Sequence, residues 1–400
     1  MDFKPDPYLK TFRDEVRQFL SEKLDPALTS SFQDFRSDRE SLVAWQKILH
    51  ANGWGGPYWP KHHGGTGWTA HQQQIFDEEC NKAGAPSLDI FGHKLLGPAV
   101  NEFGDDRQKQ EHCAKILSGD RLWCQGFSEP GSGSDLASLR TSAELKGQHY
   151  LVNGQKIWTS YAHEADWIFL LVRTNPEAKK QAGISFLLLD MKTPGISVRP
   201  IISIDQRHHL NEVFFDKVQA PVEDRVGNEG DGWNITKFLL NNEHATTAEL
   251  PTLQAYFRHL KSIGKKLSYA GRPLAEHSTF RLRMARFEAE ISAITMMVAR
   301  VASLDQAGDH SPAAQSLGSL LKIRGTELMQ SMSQFIVESL GEYGAVSYVS
   351  PAETSAKDAL PLADDFGEFA ANAFFRRAAT IYGGSSEVQR GIVSKMSFQF

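Results

Sequence analysis

The chain has 400 residues, and 43 Lys and Arg against 48 Asp and Glu leave a net charge of -5, the wrong sign for a protein built to hold nucleic acid. Hydrophobic residues make up 41 % and charged residues 23 %, ordinary for a globular protein, and no stretch approaches the roughly 20 apolar residues that span a bilayer. Cys80, Cys113 and Cys124 are too scattered for a disulfide framework. The N-terminal MDFKPDPYLK lacks the layout of a signal peptide, so a reduced, cytoplasmic chain with no membrane segment is expected.

A chain this long exceeds one compact core, and its patterning divides it in three. Residues 8–118 are mostly helical, broken at 52–67 (NGWGGPYWPKHHGGTG) and 82–87 (KAGAPS), where glycine and proline cannot propagate a helix. Between about 121 and 227, short apolar or alternating runs at 150–152, 167–172, 184–189 and 213–215 are punctuated by turn pairs. Asn153-Gly154 is the strongest hairpin signal among them. From Trp233 the helical period returns. Phe287, Ile291, Ile294, Val298 and Val301 step by four, three, four and three residues, and Leu321, Leu328, Met332, Phe335 and Ile336 continue the pattern in a second helix. Residues 347–365 form a polar excursion, and 366–396 a last helix with a glycine break. The predicted class is α+β: an N-terminal helical domain over 1–120, a middle antiparallel β domain over 121–230 and a C-terminal helical bundle over 231–400.

Three segments concentrate residues suited to chemistry. In FSEPGSGSD (127–135), Pro130, Gly131 and Gly133 prevent regular structure while Ser128, Ser132 and Ser134 crowd hydroxyls beside backbone N–H groups. Such a loop can cradle a phosphate or a polarised ring edge, or be a plain surface turn. GQKIWTS (154–160) ends a predicted strand with Trp158 followed by two hydroxyl residues. That suits covering an aromatic ligand, or simply core packing. In IYGGSSEVQR (381–390), two glycines interrupt a helical pattern at about 1 kcal/mol each relative to Ala, which points to close backbone approach or to a cap and turn. Adjacent pairs His62-His63 and His208-His209 do not have zinc spacing, and neither a GxSxG elbow nor a GxGxxG unit occurs.

In this order these three segments, with GWGGPYWPKHHGGTG before them, resemble the acyl-CoA dehydrogenase family over essentially the whole chain. The resemblance implies two helical domains flanking the β domain, the last a four-helix bundle, and assembly as a homo-oligomer (dimer or tetramer). It implies FAD as cofactor, an acyl-CoA as substrate and an electron-transfer flavoprotein as acceptor. By match to the family's motifs, Gln125, Phe127 and Ser128 line the pyrimidine side of the flavin, and Trp158 and Ser160 contact its ring. Gly133 and Ser134 lie near the pyrophosphate or the thioester, and Gly383 and Gly384 near the substrate. Gly341 and Gly344 in SLGEYG match a turn that reaches a neighbour's FAD, and Ser385 and Glu387 match positions holding its ADP half.

Many members place the catalytic carboxylate where this chain has Gly383. A minority place it on the first long helix after the β domain, and residues 238–247 (FLLNNEHATT) offer Glu243 as that base; a solvated surface carboxylate is the alternative. The chain departs from the family's pattern in three places. His244 replaces the usual Arg, Pro251 is expected to kink or end the helix, and an Arg-x-x-Phe-Gly element is not visible in residues 264–283, where Arg272, Arg281 and Arg283 carry charge. These departures resemble branches that work as heterotetramers with a second family chain. They keep open a non-catalytic or half-site subunit, beside a flavin-dependent monooxygenase or oxidase of the same fold.

Overall fold

The computed structural model describes residues 6–29, 36–242, 248–309, 311–345 and 369–398. Glu243 and His244 lie outside the described residues, as does the excursion at 347–365. Helices α1 (Pro7–Lys23), α2 (Arg39–Ala51) and α3 (Ala70–Ala83) open the chain. Each starts on a side chain that accepts an otherwise orphaned N–H: Asp6 from Tyr8, Asp38 from Ser41, and Thr69 from Gln72 in a reciprocal capping box. A π-helical turn, Phe91–Leu96, leads into α4 (Gly97–Phe103), and α5 (Asp106–Gln108) and α6 (Ala114–Ser118) complete the N-terminal unit.

The glycine-rich stretch between α2 and α3 is a socket for Trp59. That indole is 1 % exposed and donates to the His93 carbonyl at 2.6 Å. A Cβ at Gly97 would stand 1.9 Å from the Trp59 ring, and one at Gly65 would stand 2.1 Å from its carbonyl oxygen. Gly97→Ala is therefore expected to destabilise the N-terminal unit by about 1–3 kcal/mol through overpacking, read as a lower midpoint in chemical denaturation. An unchanged midpoint would mean that α4 shifts freely.

The middle unit is an eight-stranded sheet of order β6-β7-β3-β2-β4-β5-β8, with β1 paired to β4. Its strands are β1 (Trp123–Gly126), β2 (Ser142–Lys146), β3 (His149–Lys156), β4 (Trp167–Arg173), β5 (Ile184–Asp190), β6 (Ile196–Ile202), β7 (His208–Pro221) and β8 (Arg225–Val226). Most pairings are antiparallel as expected, but β1 and β2 each run parallel to β4, so the sheet is mixed. β1 enters from the N-terminal helices alongside β4, and β2 meets β4 in parallel only at Ser142 and Arg173. Residues 168–172 and 184–189 read as unbroken apolar runs because both faces of β4 and β5 are covered. Phe169, Leu171, Phe186 and Leu188 pack against the N-terminal helices, while Ile168, Leu170, Leu187 and Leu189 pack with Tyr150, Val152 and Val213 on the other face.

The expected Asn153-Gly154 hairpin is not a turn. The β2–β3 hairpin turns at Gly147 (φ 64), and Asn153-Gly154 continues β3 opposite a bulge in β7, which advances three residues from Val218 to Phe215 while β3 advances two, with Lys217 at φ 51. Asn153 Oδ1 accepts the Lys217 N–H at 2.8 Å, and a Cβ at Gly154 would meet Thr141 Oγ1 at 2.5 Å. The pair answers a close approach within the sheet.

The C-terminal unit comprises α7 (Gly232–Asn242), α8 (Leu250–Lys266), α9 (Ser278–Gln306) and α10 (Pro312–Leu340), then α11 (Phe369–Phe375), a 3-10 turn Arg376–Thr380, and α12 (Ser386–Phe398). Pro251 occupies the first turn of α8, where its missing N–H costs nothing, so it begins a helix. Phe287, Ile294 and Val298 of α9 meet Leu321, Leu328, Met332 and Ile336 of α10 in one core, the stripe expected from their spacing. The region 264–283 folds into a short hairpin, β9 (Ser268–Tyr269) and β10 (Arg272–Pro273), before α9. Among the described residues no helix is long and apolar enough to cross a membrane.

Candidate active site

Residues 127–135 and 154–160 are brought together by a buried ion pair within their own motifs. Lys156 ends β3 fully buried and donates to Glu129 Oε1 at 2.8 Å and to the Phe127 carbonyl at 3.0 Å. Glu129 also accepts the Arg140 N–H at 2.6 Å and the Thr141 N–H at 2.8 Å. Burial draws the Lys156 ammonium down to about 8, and Glu129 opposes that shift. Burial also pushes against the Glu129 charge, but Lys156 and the two backbone donors hold its carboxyl below the usual value. Each group thus favours the charged form of the other. Ser132 closes the loop by donating to the Asp135 carbonyl at 2.8 Å.

The Phe127 ring turns into the core, edge-on to Phe169 at 5.7 Å, so its main chain is what it offers a ligand. Gln125 sits half-buried in β1, opposite Phe169, and Ser128 is half-buried with its carbonyl accepting the Ile157 N–H at 2.9 Å. Gly133 and Ser134 are exposed, and a Cβ at Gly131 or Gly133 would meet nothing within 4 Å, which leaves the main chain open to close approach. Trp158 has φ 59 and presents its ring at 56 % exposure, while Ser160 is half-buried. Between them the Thr159 hydroxyl is buried without a hydrogen-bond partner.

The third segment stands on the C-terminal unit. Gly383 (φ 63) and Gly384 (φ 84) are both left-handed, which explains locally why position 383 carries glycine. Ser385 accepts the Val388 N–H at 3.3 Å at the start of α12. The exposed Glu387 carboxyl in that first turn is lowered by its own backbone N–H and by the Ser385 hydroxyl. Gly341 (φ 58) caps α10, and Gly344 lies in the turn after it, where a Cβ would stand 2.4 Å from the Val337 carbonyl. Phe375 in α11 reaches the middle unit, its ring 5.0 Å from that of His209.

Two further polar groups were not evident from the sequence. Arg376, 1 % exposed, donates to both oxygens of Glu249, at 2.9 and 3.2 Å, and ties the start of α8 to the turn before Gly383. Lys322 reaches the Ala379 carbonyl at 2.8 Å. Among the described residues no cluster of three or more His, Cys, Asp or Glu could hold a metal.

A mixed β sheet between two helical units, with an exposed indole and a serine- and glycine-rich loop where two of its strands end, is the build of a flavoprotein dehydrogenase. The acyl-CoA dehydrogenase N-terminal domain matches residues 7–120, its middle domain residues 124–218 and its C-terminal domain residues 230–398. The chain belongs to the acyl-CoA dehydrogenase family and is an oxidoreductase of that class. It is 32 % identical to acyl-CoA dehydrogenase IpdE1 of Mycobacterium tuberculosis over 97 % of this chain and 96 % of the relative. It is also 32 % identical to acyl-CoA dehydrogenase FadE29 of the same organism at the same coverage. The Tcur3481-Tcur3483 steroid ACAD superposes with a TM-score of 0.83 at 27 % identity, over 100 % of this chain and 99 % of that one. The ChsE4-ChsE5 complex from Mycobacterium tuberculosis superposes at 0.81 with 29 % identity and the same coverage.

The residues fit the family's flavin. Trp158 offers a flat apolar surface, Ser128, Ser134 and Ser160 offer hydroxyls, and the residue after Trp158, Thr159, keeps a buried hydroxyl without a partner.

Proposed function

We propose that this chain oxidises the Cα–Cβ bond of an acyl-CoA thioester to the trans-2-enoyl-CoA with FAD, and that an electron-transfer flavoprotein receives the electrons. The observation that carries the reading is the Lys156–Glu129 pair, which sets the serine-rich loop after β1 beside the Trp158 segment after β3. Gln125, the Phe127 main chain and Ser128 would hold the pyrimidine side of the flavin, Trp158 and Ser160 its ring, and Gly133 and Ser134 the pyrophosphate or thioester. Gly341, Gly344, Ser385 and Glu387 would hold the ADP half of a neighbour's or the chain's own FAD. Bound FAD supplies the acceptor for the β-hydride. The chain's own part is to position the thioester near Gly383 and Gly384, exclude water, and take the α-proton on the Glu243 carboxylate.

A bulky acyl group is the favoured substrate class. The glycine at 383 takes no side-chain space, and the names of two structural relatives include a steroid dehydrogenase and a two-component complex. A second reading, a half-site subunit completed by another family chain, rests on His244 and on the missing Arg-x-x-Phe-Gly element.

Anaerobic titration of the purified chain with a panel of acyl-CoAs, followed from 300 to 550 nm, tests both. A flavin band that one thioester bleaches is the expected result. A yellow protein that bleaches only after a second family chain is added would replace the first reading with the second. A protein without flavin, alone or with such a chain, would sink both.

A further inference from the structure

Beyond β3 the chain continues alongside β7, and one buried side chain there holds the segment carrying Trp158. Asn211 is 0 % exposed. Its backbone carbonyl accepts the Thr159 N–H at 3.0 Å, and its Nδ2 donates to the Thr159 carbonyl at 3.0 Å, so both polar main-chain groups of Thr159 are held by one residue. The remaining valences of the carboxamide are also used. Nδ2 meets His163 Nδ1 at 3.1 Å, and Oδ1 meets His208 Nε2 at 2.7 Å. The two imidazoles stack with centroids 3.7 Å apart and planes 19° apart, so the amide caps a rigid pair of rings and its orientation is set. Two residues before Thr159 the Ile157 N–H is fixed to the Ser128 carbonyl at 2.9 Å, and two after it the Tyr161 N–H is fixed to the His209 carbonyl at 2.8 Å.

Trp158 lies between these anchors at φ 59, a left-handed conformation that a bulky side chain keeps only where its surroundings impose it. Its indole is 56 % exposed, and main-chain bonds at Ile157 and Thr159 flank it; of the groups forming those bonds only the Asn211 carboxamide is a side chain.

We infer that Asn211 is a positioning residue: it clamps Thr159, with His208 and His163 orienting its amide, so that Trp158 holds its ring against the flavin. The inference rests on the flavin reading above and extends it to Asn211, 52 positions from Thr159 in sequence.

Asn211→Asp keeps the shape but removes both N–H donors and sets a carboxylate against the Thr159 carbonyl. FAD affinity of the purified oligomer is expected to fall about tenfold, the loss of one or two buried hydrogen bonds. In a Trp158→Gly background, where neither ring nor strain remains, the same change is expected to cost less than twofold. Amide hydrogen exchange over residues 157–161, measured without added flavin, is expected to rise about tenfold in Asn211→Asp. Equal loss of FAD affinity in both backgrounds, or unchanged exchange, would overturn the inference. Should Asn211→Asp not fold, His208→Phe keeps the ring stack and removes only the donor to Asn211. A rise in exchange at 157–161 then supports the clamp, and no rise overturns it. If the wild-type oligomer shows no FAD affinity, the flavin reading fails, while the exchange measurement still decides whether Asn211 clamps the segment.

Discussion

Glu243→Gln is expected to leave FAD bound and to slow bleaching by the best acyl-CoA by about 10²–10⁴-fold, the usual contribution of a positioned general base. The α-hydrogen of a thioester is weakly acidic, so its removal needs a base in contact with it while the carbonyl oxygen is stabilised. The glutamine keeps size and polarity but cannot accept the proton. The change therefore separates binding from chemistry: the thioester should still bind and perturb the flavin spectrum without reducing it. Position 383 is a left-handed glycine, and Glu249 is already committed to the buried Arg376. Bleaching at the wild-type rate in Glu243→Gln would remove Glu243 from the mechanism. Glu249→Gln is the control. It is expected to lower stability, by breaking the tie between α8 and the turn at Arg376–Thr380, more than it lowers the rate of reduction per folded site.

The three-part architecture was legible because each unit repeats its own period. The four-three stepping of Phe287 to Val301 appears as one stripe of α9, and the apolar runs at 168–172 and 184–189 are strands buried on both faces. Local signals failed where a long-range contact decides the geometry. Asn153-Gly154 has the composition of a hairpin turn, but it runs on within β3 against Thr141 and opposite a bulge in β7, and no short window contains either partner. Pro251 reads as a helix breaker whether it ends one helix or begins the next. In the candidate site, Trp158 and the serine-rich loop stood out by residue type. Asn211 and Arg376 did not, because their significance lies in the burial of their polar groups and in partners 52 and 127 positions distant. One signal was available and unused. Beyond the bulge, Lys156 falls on the inward face of β3 that Tyr150 and Val152 begin, and a lysine in a core register calls for a buried carboxylate.

That lysine sets the second large effect. Lys156→Met is expected to cost about 3–5 kcal/mol in the unfolding of the β unit, because it leaves Glu129 charged and buried with two backbone donors but no cation. Methionine matches the length of the lysine stem, so the loss reports the missing charge and its hydrogen bonds to Glu129 and the Phe127 carbonyl more than a cavity. The double variant Lys156→Met, Glu129→Gln removes the orphaned charge and is expected to recover at least half of the lost stability, since the amide oxygen can still accept from Arg140 or Thr141. Stability and site geometry then part company. Even with stability restored, the loop 127–135 has lost its side-chain tie to β3 and keeps the Ile157 N–H bond to the Ser128 carbonyl, so protease cleavage within 127–135 should be faster and FAD affinity lower than in the wild type. If the double variant regains both stability and FAD affinity, the pair is a packing element that apolar or neutral groups can replace. If it regains only stability, the buried charges are what join the two halves of the site.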